Sequence, residues 1–106
     1  MDVPFLPRQT FAGESATNYS NALETGDYNK LVVIFKNYGS VGTTPTATVT
    51  MQTSSDMRNW VDISGTLTTD TVESKTGFGK FLRAKVVLGG TQPVVTLSVL
   101  GKLVSE

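Results

Sequence analysis

Nine carboxylates, no histidine and no cysteine set the chemistry open to this chain. The acids are Asp2, Glu14, Glu24, Asp27, Asp56, Asp62, Asp70, Glu73 and Glu106. Glycoside hydrolysis needs two carboxyl groups a few ångströms apart, one with its pKa raised by burial. Almost all of these acids stand in turn-forming stretches or at outward positions of alternating strands, where burial does not reach them. The missing histidine removes the commonest general acid–base group at neutral pH. With cysteine absent as well, thiolate nucleophiles and the usual zinc ligands are gone. Asp70 and Glu73 are too sparse for a calcium loop, and the sequence holds neither a glycine-rich phosphate loop nor a nucleophile elbow. The expectation is a chain that binds or builds, with no catalytic residue, no metal and no cofactor.

The most defined local constellation is Gln52-Thr53-Ser54-Ser55-Asp56-Met57-Arg58-Asn59-Trp60. Ser54, Asp56 and Trp60 read as S-x-D-x-x-x-W. A short aspartate side chain accepts backbone N–H groups two residues on and locks a turn between strands. Trp60 is expected to cap that hairpin with its ring over the adjacent core. The role of all three is structural. The pattern resembles the Asp box of sialidases and the equivalent hairpin of discoidin-like domains. A glycine usually follows the aspartate there; Met57 stands in its place here, which implies a different backbone geometry. Farther along, Phe78-Gly79-Lys80-Phe81-Leu82-Arg83-Ala84-Lys85-Val86 resembles the strand of discoidin-like sandwiches in which an aromatic and an arginine precede a β run. Arg83 has a planar fork suited to a carboxylate or sulfate. The simpler expectation puts it on the solvent face beside a cross-strand acid, Asp62 or Glu73.

The elements that position these residues read as strands throughout. A first strand lies near Thr17–Leu23, and Glu24-Thr25-Gly26-Asp27 makes a turn. Lys30–Tyr38 (KLVVIFKNY) is β-branched and aromatic, apolar on both faces between its two lysines, and reads as a central strand buried on both sides for part of its length. Gly39–Pro45 reads as a loop. Thr46–Thr53 then alternates, with Ala47, Val49 and Met51 on one face and Thr48, Thr50 and Gln52 on the other. With Trp60–Ile63 it forms a hairpin. Thr66–Lys75 is a further strand, and Thr76–Gly79 a turn. Lys80–Leu88 alternates with Leu82, Ala84, Val86 and Leu88 inward. Gly89-Gly90 closes a hairpin into Pro93–Val104, where Val95, Leu97, Val99 and Leu103 share a face. No stretch keeps a helical period. The fold expected is all-β, an antiparallel sandwich or jelly roll of about seven or eight short strands.

The 106 residues suffice for one core. The expected division is an N-terminal arm over 1–15 and a sandwich over 16–106. Pro4 and Pro7 hold the arm extended, yet Val3, Phe5, Leu6 and Phe11 are too apolar for a solvated tail. Two readings stay open: an arm covering an edge of its own sheet, or one reaching a neighbouring subunit or capsid. Charge is balanced, nine Lys and Arg against nine Asp and Glu, and the basic residues form no run. That argues against nucleic acid and anionic membranes as partners and mildly favours self-association. The opening residues lack the basic and apolar regions of a secretory signal. A glycan site would need exposed aromatic rings, and Tyr19, Tyr28, Tyr38 and Phe78 are the candidates, scattered along the chain.

The arm, the LVVIFKNY strand, the QTSSDMRNW hairpin, the FLRAKVVL strand and the final VVTLSVLGKLV strand together resemble small β-sandwich proteins of tailed-phage virions. The likeness runs over residues 17–104 as a pattern of residue types. It implies a capsid decoration or cement protein, made in the host cytoplasm and carried on the virion. The partners it implies are a second and third copy of itself (a dimer or trimer) and a major capsid protein. The alternative is a jelly-roll carbohydrate-binding module.

Overall fold

The computed structural model describes residues 2–105; Met1, the acid Glu106 and the side chain of Ser64 lie outside the described residues. Seven strands follow in order: β1 (Asp2–Ala12), β2 (Thr17–Tyr19), β3 (Leu23–Glu24), β4 (Lys30–Ser54), β5 (Val61–Leu67), β6 (Thr71–Lys75) and β7 (Phe81–Val104). All pairings are antiparallel. The all-β sandwich expected from the alternation is what the chain forms. Its strands are not uniformly short, because β4 runs for 25 residues and β7 for 24.

These two strands pair along their whole length, from Lys30 opposite Val104 to Ser54 opposite Phe81. A flat strand of that length would span about 80 Å at about 3.3 Å per residue. The longest dimension of the molecule is 42 Å. The ribbon therefore folds over on itself near its middle. One half pairs β1 with the end of β7 and β6 with the start of β4; the other pairs β2 and β3 with the start of β7 and β5 with the end of β4. Leu31, Val33, Phe35, Val95, Leu97 and Val99 from one half meet Ala47, Val49, Met51, Leu82, Val86 and Leu88 from the other in one core.

The fold-over occupies the stretches expected to be a loop and a hairpin turn. Gly39–Pro45 and Gly89-Gly90 instead lie inside β4 and β7, because the ladder continues through Ser40–Val95, Val41–Val94, Thr43–Thr91 and Thr46–Gly89. The pairing shifts register there three times. In β7 the inward residues are even-numbered up to Leu88 and odd-numbered from Val95, the change of parity that bulges produce. Gly42 and Gly90 stand on the two facing strands of this corner at φ +125° and +97°. A Cβ on Gly90 would stand 2.5 Å from the Thr44 carbonyl oxygen, and one on Gly42 would stand 2.7 Å from that of Gln92. Only glycine permits that approach.

Of the segment expected as an arm, residues 2–12 are built into the sheet. Asp2–Ala12 is an edge strand of the same sheet, paired with β7 from Asp2–Lys102 to Ala12–Val94. Of the reading that left two recipients open, the side chains pack in cis. Opposite the arm, Gly101 leaves room for the Phe5 ring, which lies 2.7 Å from where a Cβ would be. At the other edge, buried Lys75 of β6 pairs with Glu73 (2.9 Å) and reaches the Gly65 carbonyl of β5 (3.5 Å), which ties the two halves together. Every buried side-chain nitrogen and oxygen among the described residues has a partner.

Candidate functional site

The hairpin after β4 forms as its residues dictate. Thr53 pairs with Val61 and Gln52 with Asp62. Ser54 Oγ accepts from the backbone of Met57 (2.9 Å) and Asp56 (3.2 Å). Asp56 Oδ1 accepts from the backbone N–H groups of Asn59 and Arg58 and from the Ser54 hydroxyl, each at 2.9 Å, while Oδ2 takes the Asn59 side-chain amide at 2.9 Å. Those donors hold the Asp56 carboxyl well below the usual aspartate range, the Asn59 and Arg58 backbone groups most strongly. Met57 sits at φ +63°, the left-handed conformation a glycine would take. The geometry expected to change at this position is thus kept, with methionine in it.

Trp60 does not lie over the core. It is half-buried on the outer face, its ring 4.2 Å from the Arg83 guanidinium carbon. Tyr19 of β2 lies 4.1 Å from the same carbon. Both rings thus lie against the same guanidinium group. Arg83 is on the outer face as expected, but its hydrogen-bond partner is neither acid. Nε donates to Gln52 Oε1 (2.8 Å), and Gln52 Nε2 donates to Asp62 Oδ1 (2.7 Å). Glu73 is in the other half, on Lys75. Composition alone could not bring Tyr19, Trp60 and Arg83 together; the register Tyr19–Lys85 and Gln52–Arg83 does it.

The outer face of the other half is of a different kind. Four side chains form a row across its strands, Pro4 opposite Leu100, Leu100 opposite Ile34, and Ile34 opposite Val72. Ile34 is 40% exposed, Leu100 39% and Val72 63%. A depression of about 410 Å³ opens beside Pro4, Ile34 and Leu100, with Asp2 and Lys102 at its rim. On the opposite side of the row, Arg8 stacks on Tyr38 at 4.3 Å, and the Tyr38 hydroxyl lies 3.5 Å from Ser98 Oγ. The strand expected to be buried on both sides is central in its sheet but covered on one face only. Leu31, Val33 and Phe35 are buried; Ile34 is not. The fold-over supplies one covering layer, and the described residues supply no second.

The arm residues named as subunit or capsid contacts are mostly engaged already. Val3, Phe5 and Leu6 are 9%, 6% and 5% exposed within their own core, and Phe11 is half-buried against it. The exposed positions of the segment are Asp2, Pro4, Pro7, Arg8, Gln9, Thr10 and residues 12–15, and of these Pro4 stands beside Leu100. The aromatics expected as glycan platforms also separate: Tyr19 and Tyr38 are half exposed on opposite halves, while Tyr28 and Phe78 pack against the core. Among the described residues, no three acids come together as a metal group, and no helix is long and apolar enough to cross a membrane.

No family model matches this sequence, and no curated protein matches it. Solved structures do resemble the fold. The chain is similar to the SPBc2 prophage-derived protein YomS, with 13% identity, a TM-score of 0.55 and 96% of each chain covered. It is similar to a chain in the structure of infectious bursal disease virus strain Gx at 8% identity and a TM-score of 0.60. That match takes in 98% of this chain and 31% of the viral one, so this chain spans about a third of it. It is similar too to the Yersinia pseudotuberculosis-derived mitogen, at 9% identity, a TM-score of 0.59, and coverage of 98% and 89%. At such identities the likeness is one of fold. Viral and prophage proteins are among the proteins that share it.

Proposed function

We propose that this chain is a non-catalytic structural protein of a phage virion, a decoration or cement protein that binds the outside of a capsid. The observation that carries the reading is the row Pro4–Leu100–Ile34–Val72, an apolar stripe lying open across four strands. Rows of this kind on a rigid sheet mark contacts between proteins. The strand beneath it has the composition of one covered on both sides, and a capsid surface is the covering the chain lacks. Support comes from the fold, which a prophage-derived protein of similar length and a virus chain share. Two or three copies would associate as a closed ring on such a lattice, through surfaces other than the buried arm residues.

The test begins with particles. Phage purified from the host that carries the gene should contain the chain by mass spectrometry. Ile34→Lys together with Leu100→Asp should fold with an unchanged melt and fail to co-sediment with those particles. Particles lacking the chain, or a double variant that still co-sediments, would overturn the reading. The carbohydrate-binding alternative is favoured by one observation only, the Tyr19–Arg83–Trp60 stack on the opposite outer face.

A further inference from the structure

We propose that the outer face of the β2–β7–β4–β5 half binds carboxylated glycans, with Arg83 as the anchor. The site is separate from the apolar row and does not depend on the virion reading.

Arg83 is built as a receptor rather than as a surface charge. Tyr19 and Trp60 both pack on its guanidinium, at 4.1 and 4.2 Å, and Gln52 holds Nε at 2.8 Å. Gln52 is itself oriented by Asp62 at 2.7 Å. The side chain has therefore lost its rotamer freedom before any ligand arrives, the usual cost of recruiting an arginine. Its end-on pair of Nη groups meets no acceptor among the described residues. Those Nη groups present parallel N–H donors, the geometry that matches two carboxylate oxygens. The nearest acid is tied to Gln52 instead, so the charge of Arg83 is not neutralised by direct contact.

The surroundings fit a sugar. Lys85 lies on the same face, between Tyr19 and Thr50 in the ladder. Thr17, Val87 and Thr48 form the next row, and Thr66 lies opposite Thr50. This gives hydroxyls on both sides of the two cations. Tyr19 is 50% exposed, which leaves ring surface for the C–H face of a pyranose. The acids facing the site are Asp62, already described, and Glu24 at its margin, 4.0 Å from Lys80. An acidic peptide would find the same charges, set among hydroxyls rather than beside an apolar row like that of the other half. The open, hydroxyl-lined face favours the glycan.

Trp60 is the only tryptophan, so its fluorescence reports on the site directly. The intact protein is titrated with sialylated and uronate oligosaccharides, each beside its methyl ester, and with polyglutamate. At least one carboxylated glycan should change the Trp60 emission saturably, and its ester should bind far more weakly. Arg83→Lys keeps the charge but loses the fork and should weaken binding about ten-fold, the scale of one charge-assisted hydrogen bond. Tyr19→Ala should also weaken it, and Lys102→Gln on the other face should not. Thermal melts of each variant confirm folding. The proposal is overturned if no carboxylated glycan binds, if esters bind as tightly as acids, or if Arg83→Lys binds like wild type. Polyglutamate binding more tightly than every glycan would overturn it in favour of an acidic peptide.

Discussion

The half of the ribbon that carries β1 and β6 and the half that carries β2, β3 and β5 are alike inside and opposite outside. Within β4, the inward residues are Leu31, Val33 and Phe35 in one half and Ala47, Val49 and Met51 in the other, all buried. The outward residues are Val32 and Ile34, flanked by Lys30 and Lys36, in the first and Thr48, Thr50 and Gln52 in the second. Folding constrains the inner set, because both halves close on one core. It leaves the outer set free. That divergence is what the two proposals rest on: a protein surface against the apolar half, a polar ligand on the other.

If the inner faces are equivalent, core truncations should cost alike in either half. Phe35→Ala should lose about 3–5 kcal/mol and Met51→Ala about 2–5 kcal/mol, measured by denaturant unfolding. Phe5→Ala belongs to the same class, since its ring fills the space over Gly101. A Phe5 variant as stable as wild type would mean the arm packs elsewhere, and would restore it as an intermolecular contact.

The corner that separates the halves comes next in size. Gly90→Val places a branched side chain at φ +97° and against the Thr44 carbonyl. The expected loss is about 1–3 kcal/mol from the backbone alone. Gly39→Ala, where a Cβ meets nothing within 4 Å, is the control in the same stretch. Equal stabilities for the two variants would remove the corner as the element that sets the faces apart.

Outer residues should matter less to stability. Trp60→Ala should cost about 1 kcal/mol, because a half-buried ring packed on an arginine outside the core gains the modest energy of a cation–π contact. Ile34→Ser should stay within about 0.5 kcal/mol. A loss near that of a core truncation at either site would show that the outer face belongs to the fold rather than to a partner.

The alternation of TATVTMQT and FLRAKVVL was enough to place the inner faces, and the S-x-D-x-x-x-W spacing placed the Asp56 turn. What the sequence hid was long-range. Gly39–Pro45 and Gly89-Gly90 carry the residues of loops, and only each other's carbonyls and amides turn them into a bent ladder. KLVVIFKNY states that both faces are apolar, but it does not state that the molecule supplies a single cover. Arg83, Tyr19 and Trp60 stand far apart in the chain, so no local pattern joins them. The one signal available was that Arg83 and Gln52 are both outward on alternating strands, which makes them neighbours if those strands pair.

The smallest effect expected concerns pH and the turn that positions Trp60. Asp56 is surrounded by donors, and its folded-state pKa lies below the unfolded value. A depressed carboxylate contributes stability that is fully present above its unfolded pKa, about 3.9. That contribution is lost only as pH falls through the folded value, below the ordinary aspartate range. The Asp56 carboxyl ¹³C shift should therefore stay flat through the range in which a free aspartate titrates, and Trp60 emission should stay constant with it. Asp56→Asn keeps one acceptor but no charge; it should melt below wild type at neutral pH, with the gap closing only in stronger acid. A carboxyl midpoint near 3.9 would mean that the bonds from Asn59, Arg58 and Ser54 do not persist in solution. Trp60 would then lose its fixed place beside Arg83, and the polar half would offer scattered aromatics rather than a formed site.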